Sequence, residues 1–201
     1  MTQTAEVTIE SNQILTPRLR LRKWHLDDAA AALAVYGSDE VTRWLAPAMN
    51  TVPTAAQMKS LLSCWKANCD ALQYPAGRWA IELRESGDVI GGAALLPLPP
   101  YGEDLEVGWQ LAPQAWGMGL ASEAGHALAH YAFSSGAADE VFAVVRRKNA
   151  RGCSTAKRVG MEWVGETEKY YNLRLQVYRL RKGDLDIPTD LPHGLGSSSG
   201  G

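Results

Sequence analysis

One segment of the sequence, Leu105–Ala121, constrains the fold more than any other: it reads LEVGWQLAPQAWGMGLA. Its first half is an apolar strand pattern that stops at Pro113, because proline has no N–H group to donate to a sheet. Gly117 and Gly119 follow, and glycine allows a phosphate group to approach the backbone closely. The helix predicted after them begins with free N–H groups that carry about half a positive charge. The segment therefore predicts a strand, a turn and a helix that together bind an anion such as a pyrophosphate.

Two common phosphate-binding motifs do not fit this segment. The P-loop requires the string G-x-x-x-x-G-K-[ST], which the sequence lacks. A dinucleotide-binding turn requires G-x-G-x-x-G, and here Ser122 stands at the third glycine position. That turn also needs an acidic residue at the end of the next strand, where this chain has Arg146, Arg147 and Lys148. Neither class of nucleotide site is predicted.

Hydrophobic periods predict the other strands and helices. Arg18–Trp24 alternates like a half-buried strand, and we expect Arg18, Arg20 and Arg22 to form the solvated face of an edge strand. The further predicted elements are helix Asp27–Tyr36, a helix from the capping box at Thr54 to Leu72, hairpin Arg78–Arg84 with Val89–Leu96, helix Gly119–Ser135, strand Val141–Val145 buried on both faces, helix Ala150–Val159, and two strands that flank Asn172. This order predicts an α/β (α+β) fold with helices packed on a mixed sheet.

Length and composition bound the class of protein. The 201 residues suit one domain at 14–186, between a flexible N-terminus (1–13) and a flexible Pro/Gly/Ser-rich tail (187–201). The net charge of −2 argues against nucleic acid or an anionic membrane as a partner. A cytoplasmic location is expected, because no apolar run is long enough to span a bilayer and the three cysteines lack zinc-site spacing. No metal site is predicted, since His126 and His130 have no third ligand in a recognisable motif.

The glycine turn also carries a family resemblance. Gln114-x-x-Gly117-x-Gly119 resembles the Q/R-x-x-G-x-G/A signature of the GNAT acetyltransferase superfamily. Further ordered blocks resemble its RimJ/RimL-like branch, which acetylates the N-termini of ribosomal proteins: Thr16–Arg22, Glu106–Trp109, Trp116–Gly119, Ala121–Ala124, Asn149 and Val159–Met161. The resemblance covers roughly residues 14–182. It implies one GNAT domain with a mixed seven-stranded sheet, in which the central parallel strands Leu105–Ala112 and Val141–Val145 splay apart.

The resemblance implies acetyl-CoA as the cosubstrate, with its pantetheine arm between those two strands. Backbone groups of β-strand residues would bond the pantetheine amides, N–H groups of the turn would hold the pyrophosphate, and an asparagine would contact the pantetheine. The cofactor-binding residues implied in this way are Gln110, Leu111, Ala112, Gln114, Trp116, Gly117, Met118, Gly119, Leu120, Ala121 and Asn149.

Direct attack of an amine on a thioester requires a base, because an α-amino group has a pKa of about 7.7–8.0 and is largely protonated at pH 7. Glu106 lies where relatives place an acid, so we expect it to be this base, with a role as a substrate anchor as the alternative. The usual general acids are missing, since Ala156 stands at the common tyrosine position and Gly152 at the serine position. Cys153 and Ser154 are the nearby candidates, and protonation by solvent is the other alternative.

The sequence leaves the acceptor open. A protein N-terminus is favoured by resemblance alone, and a small-molecule amine is the alternative. An acetyl group is the expected acyl group. A different class, a non-catalytic acyl-CoA-binding or regulatory protein, stays open because the usual acid is absent. A homodimer is a further possibility. Glu123, in the first turn of the helix, is expected to be a structural hydrogen-bonding residue.

Overall fold

The structure, a computed structural model, describes residues 6–10, 13–100, 102 and 104–185. The strands are β1 (Thr8–Glu10), β2 (Gln13–Leu15), β3 (Leu19–Lys23), β4 (Gly77–Leu83), β5 (Val89–Pro97), β6 (Leu105–Leu111), β7 (Glu140–Arg146), β8 (Glu162–Thr167) and β9 (Leu175–Arg181). The helices are α1 (Ala29–Tyr36), α2 (Asp39–Thr42), α3 (Ala55–Ala71), α4 (Leu120–Ser134) and α5 (Ala150–Val159). Over the described residues the strands form one sheet in the order β1-β2-β3-β4-β5-β6-β7-β9-β8, and only the β6–β7 pair is parallel.

The predicted α/β class, with helices on a mixed sheet, is confirmed, but the described sheet has nine strands instead of seven. The additional strands are β1 and β2, which lie partly in the segment expected to be flexible. Each is three residues long, which is too short for an alternating pattern to be recognised. Ile14 on β2 pairs with Leu21 on β3 and is 1% exposed, so β2 is anchored in the core. Residues 1–5, 11–12 and the predicted tail 187–201 lie outside the described residues.

Helices cover both faces of the sheet. On one face, α1 and α3 pack around a core that includes Tyr36, Met58 and Trp65. On the other face, α4 buries Ala124 and Leu128 completely against the sheet. Among the described residues, no helix is both long enough and apolar enough to cross a membrane.

The centre of the sheet is open. Strands β6 and β7 are paired in the described chain only through Glu106 and Phe142, so they diverge towards their carboxyl ends at Leu111 and Arg146. This divergence is the splay expected from the family resemblance. The prediction that β7 is buried on both faces is wrong for one face, because Val144 is half-buried and borders a cavity.

The arginines of β3 do not form a solvated edge, because β3 lies between β2 and β4. Arg20 and Arg22 instead donate to the two carboxylate oxygens of Glu82, over 2.5 and 2.6 Å. Arg22 also binds Asp28 at the start of α1. Burial alone would raise the pKa of Glu82, but the hydrogen bonds from Arg22 and Arg20 hold it below its ordinary value. The network therefore ties the first helix to the sheet.

Candidate active site

The glycine turn has the geometry of an anion site. Strand β6 ends at Leu111, and Gly117 and Gly119 follow with φ of 81° and 74°, a left-handed conformation that glycine adopts without strain. Helix α4 begins at Leu120, so the N–H groups of its first turn have no carbonyl partner within the helix. These groups face the turn and favour a negatively charged ligand.

An ion pair joins the first turn of α4 to the residue that precedes β3. The Arg18 guanidinium contacts the Glu123 carboxylate at 2.6 Å and donates to the Met118 carbonyl at 2.8 Å. Thr16 donates to the same carboxylate at 2.6 Å. Glu123 is therefore the structural hydrogen-bonding residue that the sequence predicts, and its contacts position the turn.

A cleft of about 620 Å³ opens at the end of β6, between the glycine turn with the start of α4 on one side and the start of α5 on the other. The predicted cofactor residues that line this cofactor cleft are Gln110, Leu111, Trp116, Gly117, Gly119, Leu120, Ala121 and Asn149. The cleft also carries positive charge that sequence reasoning missed. The guanidinium of Arg151 lies 4.0 Å from the centre of the Trp116 ring, and Arg158 lines the same wall.

Three predicted cofactor residues do not line the cleft. The N–H of Ala112 donates to Ile90 and its carbonyl accepts from Ala115, both over 2.9 Å, so its N–H is already used within the protein. Gln114 is exposed on the short turn before the glycines, and Met118 is half-exposed with its carbonyl bound to Arg18. These positions shape the turn without reaching the cleft.

Glu106 lies on β6 beside a second, smaller cavity of about 230 Å³, which we call the acceptor cavity. Tyr171 donates a hydrogen bond of 2.7 Å to its carboxylate. Burial raises the pKa of Glu106 to about 7, although the Tyr171 hydroxyl and the charge of Arg78 oppose the rise. The cofactor cleft and the acceptor cavity share the lining residues Trp44, Leu45 and Gln110, so the two spaces adjoin, and Glu106 lines the acceptor cavity.

Sequence reasoning missed Tyr171, which lies 65 residues from Glu106 along the chain. It occupies the turn between β8 and β9, where Tyr171 and Asn172 have φ of 55° and 53°. Non-glycine residues in this conformation are uncommon and concentrate at functional sites. The sequence predicts a turn at Asn172. A predicted turn reveals neither the positive φ of Tyr171 nor its hydrogen bond to Glu106.

Comparison with known proteins decides the family. A family model for the acetyltransferase (GNAT) domain matches residues 18–162. The chain belongs to the GNAT acetyltransferase family. It is 29% identical to the uncharacterised N-acetyltransferase YoaA of Bacillus subtilis (strain 168), over 77% of this chain and 85% of that protein. It is 30% identical to the uncharacterised N-acetyltransferase p20 of Bacillus licheniformis, over 68% of this chain and 74% of that protein.

Solved structures agree with the fold of this GNAT enzyme. Mycobacterium smegmatis RimJ in complex with CoA-disulfide matches with a TM-score of 0.70 and 18% identity, over 85% of each chain. A putative ribosomal-protein-serine acetyltransferase from Vibrio cholerae matches with a TM-score of 0.68 and 18% identity, over 87% of this chain and 99% of the other. These neighbours include the branch that the sequence blocks resemble, and at such identity the likeness shows the fold.

The two altered positions of this GNAT enzyme have a steric explanation. Asn149 caps α5 by accepting a hydrogen bond of 3.0 Å from the N–H of Gly152. A Cβ atom on Gly152 would lie 2.7 Å from the Asn149 side chain and 2.8 Å from Val145, so a serine there would displace the cap. Ala156 is completely buried in the core. Neither position presents a hydroxyl to the cleft.

The two candidate acids of this GNAT enzyme point in different directions. Ser154 is exposed and lines the cofactor cleft, whereas Cys153 packs against the core with its sulfur 3.9 Å from the Gln176 side-chain oxygen. Cys153 lines neither the cleft nor the acceptor cavity. Of the two, only Ser154 lines the cofactor cleft.

We expect Cys153→Ala and Ser154→Ala each to keep kcat within about threefold of the parent enzyme, since loss of a general acid typically costs about 10²–10⁴. Solvent then protonates the thiolate, which is a fair leaving group because a thiol has a pKa of about 8.5. The measurement is steady-state thiol release at saturating substrates. A loss of 100-fold in the Ser154 variant alone would identify Ser154 as the acid.

Tyr171→Phe is expected to raise the pKa of Glu106 further, because the lost hydrogen bond stabilises the charged carboxylate. The rate of the variant should therefore fall at neutral pH and recover as the pH increases. The pH profile of kcat/KM measures this shift. Tyr170→Phe is the matched control, since the Tyr170 hydroxyl binds Asp104 instead. A Tyr171→Phe profile that overlays the parent would contradict the role assigned to this hydroxyl.

Proposed function

We propose that this enzyme transfers an acetyl group from acetyl-CoA to a primary amine by direct attack in a ternary complex. The observation that carries the proposal is that the cofactor cleft adjoins the acceptor cavity, whose wall includes the Glu106 carboxylate. A bound amine would there lie next to a base on one side and a thioester on the other. Such placement converts a bimolecular reaction into an effectively unimolecular one.

The residues of the cleft fit acetyl-CoA. Left-handed glycines and free N–H groups at the start of α4 suit the pyrophosphate, and the guanidinium groups of Arg151 and Arg158 add positive charge for phosphates. The backbone of Gln110 and Leu111 borders the open seam of the sheet, where the pantetheine arm would lie. The cosubstrate, when bound, supplies the acetyl thioester.

Glu106 accepts the proton that the amine releases. A base with a pKa of about 7 is partly ionised at neutral pH and still basic enough to accept this proton. The N–C bond forms as the C–S bond breaks, so the electron pair of the amine becomes the new bond and the thiolate leaves. Tyr171 holds the carboxylate in place, and water protonates the departing sulfur.

Acetylation of a panel of amines tests the proposal. The purified enzyme, acetyl-CoA and each amine are incubated, thiol release is followed, and the product is identified by a mass increase of one acetyl group. The expected result is an acetylated amine whose formation requires Glu106. Acetyl-CoA binding by calorimetry without transfer to any amine would instead support the second candidate, a non-catalytic acyl-CoA-binding protein, which the loss of hydroxyls at Gly152 and Ala156 favours.

A further inference from the structure

Two arginines of the acceptor cavity form no ion pair with an acidic side chain of the described residues. Arg78 lines the cavity with its guanidinium 4.9 Å from the centre of the Trp65 ring, and it makes no hydrogen bond or ion pair through its side chain with any described residue. Arg146 donates one hydrogen bond to the Ala46 carbonyl, and its Nε atom is buried without a partner among the described residues. Arg20 and Arg22, in contrast, are both paired with carboxylates.

The register of the sheet places these charges around Glu106. Arg78 on β4 lies opposite Ala94 on β5, which lies opposite Gly108 on β6. Glu106 is two residues from Gly108, and alternate residues of a strand face the same side, so Arg78 and Glu106 share one face of the sheet. The charge of Arg78 acts on the Glu106 carboxylate, so the two side chains lie within electrostatic range. Arg146 closes the opposite side of the cavity from the end of β7.

An unpartnered guanidinium in a half-buried cavity is a site for an anion. Burying a cation away from water costs free energy unless a counter-charge or hydrogen-bond acceptors replace the water. A guanidinium matches a carboxylate in particular, because its parallel N–H groups bond both oxygens at once. The rest of the cavity is mainly apolar, with Met49, Leu61, Leu96, Val144 and Leu173 in its walls. The ligand that these features fit has an amine, an anionic group and an apolar body.

We propose that the acceptor is a free apolar α-amino acid, or a small amine of the same chemistry, whose carboxylate binds Arg78 while its amine faces Glu106. This inference rests on the proposed function, since it names the acceptor of that reaction. The cavity volume of about 230 Å³ suits a ligand of amino-acid size. Arg146 contributes positive potential from the other wall.

Matched acceptors test the carboxylate. Each apolar amino acid is compared with its amide, with the amine that lacks the carboxyl group, and with a peptide that begins with the same residue; leucine, leucinamide, 3-methylbutylamine and a leucyl peptide form one set. We expect kcat/KM for at least one amino acid to exceed that of its three partners by about tenfold or more, because a site built to bond a group rejects analogues without it. The α-amine of the amide is less basic than that of the amino acid, so more of it is unprotonated at neutral pH. A preference for the amino acid therefore cannot result from a larger supply of free amine.

Variants then assign the carboxylate partner. At a pH well above the pKa of Glu106, where the base stays ionised without the Arg78 charge, Arg78→Met should lower kcat/KM for the amino acid about tenfold or more, chiefly through KM, and lower that of the carboxylate-free amine much less. Arg78→Lys should recover part of the loss because it keeps the charge. Arg181→Met is the control, since Arg181 is an exposed arginine of β9 outside the cavity. Thermal unfolding of each variant shows whether it folds. The comparison of acceptors uses the parent enzyme, so it tests the proposal even if a variant does not fold.

The outcomes separate the two proposals. Equal or better acetylation of carboxylate-free amines or peptides would overturn this inference and leave the proposed function standing. Equal losses on all acceptors in the Arg78→Met variant would also overturn it. Acetylation of no amine at all would refute the proposed function, and the inference with it.

Discussion

Replacing Glu106 by glutamine is expected to lower kcat by about 100-fold or more at neutral pH, because glutamine keeps the shape of the side chain but cannot accept the proton of the amine. Steady-state kinetics at saturating acetyl-CoA measure the loss. Glu162→Gln is the matched control, since the Glu162 side chain is 68% exposed on β8.

The pH dependence gives the same prediction a second form. Burial raises the pKa of Glu106 to about 7, so the carboxyl group is protonated and inactive below that pH. The kcat/KM of the parent should therefore fall about tenfold for each pH unit below the pKa and level off above it. The Glu106→Gln variant should lose the inflection near pH 7, so that its remaining fall at low pH follows the pKa of the acceptor amine. A variant that changes only the KM of the acceptor would make Glu106 an anchor instead of a base.

Gly117→Asp is expected to weaken acetyl-CoA binding at least about 30-fold, because it places a negative charge where the turn would hold phosphates and like charges at short range cost several kcal/mol. The site accepts a side chain, since a Cβ atom on Gly117 would meet nothing within 4 Å. Asparagine and aspartate are also the residues that best tolerate a positive φ. Isothermal titration calorimetry measures the dissociation constants.

Gly117→Asn is the control that isolates the charge, because it has the same shape and the same backbone strain as the aspartate variant. We expect its affinity to stay within about threefold of the parent. Position 117 is a cleaner test than position 119, where a Cβ atom would lie 3.6 Å from the Arg18 guanidinium and an aspartate would pair with it. Equal affinities of the Asp and Asn variants would contradict the prediction that the phosphates of acetyl-CoA bind at this turn.

The elements that carry a local signal were predictable from the sequence. Alternation identified the hairpin of β4 and β5, and Pro113 with the glycines located the end of β6 and the start of α4. Glu106 was chosen through a family resemblance, and the structure gives it a buried environment and a raised pKa. Each of these features is determined by residues that are close together in the sequence.

Features that depend on distant residues were not predictable. Arg20 and Arg22 alternate with leucines in the manner of a solvated face, and only the pairing of β3 with β4 reveals that Glu82 neutralises them. The acceptor cavity takes Arg78, Arg146 and Tyr171 from three separate parts of the chain. A sequence pattern contains no information on which of these side chains meet, because their meeting is a property of strand order.

The single paired position between β6 and β7 makes the described sheet two half-sheets, β1–β6 and β7–β9, which α4 and α5 hold together. Backbone groups along the seam need another partner. In the binding mode proposed here, the pantetheine amides serve as that partner. The cosubstrate then stabilises the folded sheet in addition to acting as a reactant. A ligand that binds only the folded state stabilises it in proportion to its concentration, and proteases cut chains that have opened. We therefore expect the lifetime of this protein in a cell to follow the local supply of acetyl-CoA, so that the amount of enzyme declines when its acetyl donor is scarce.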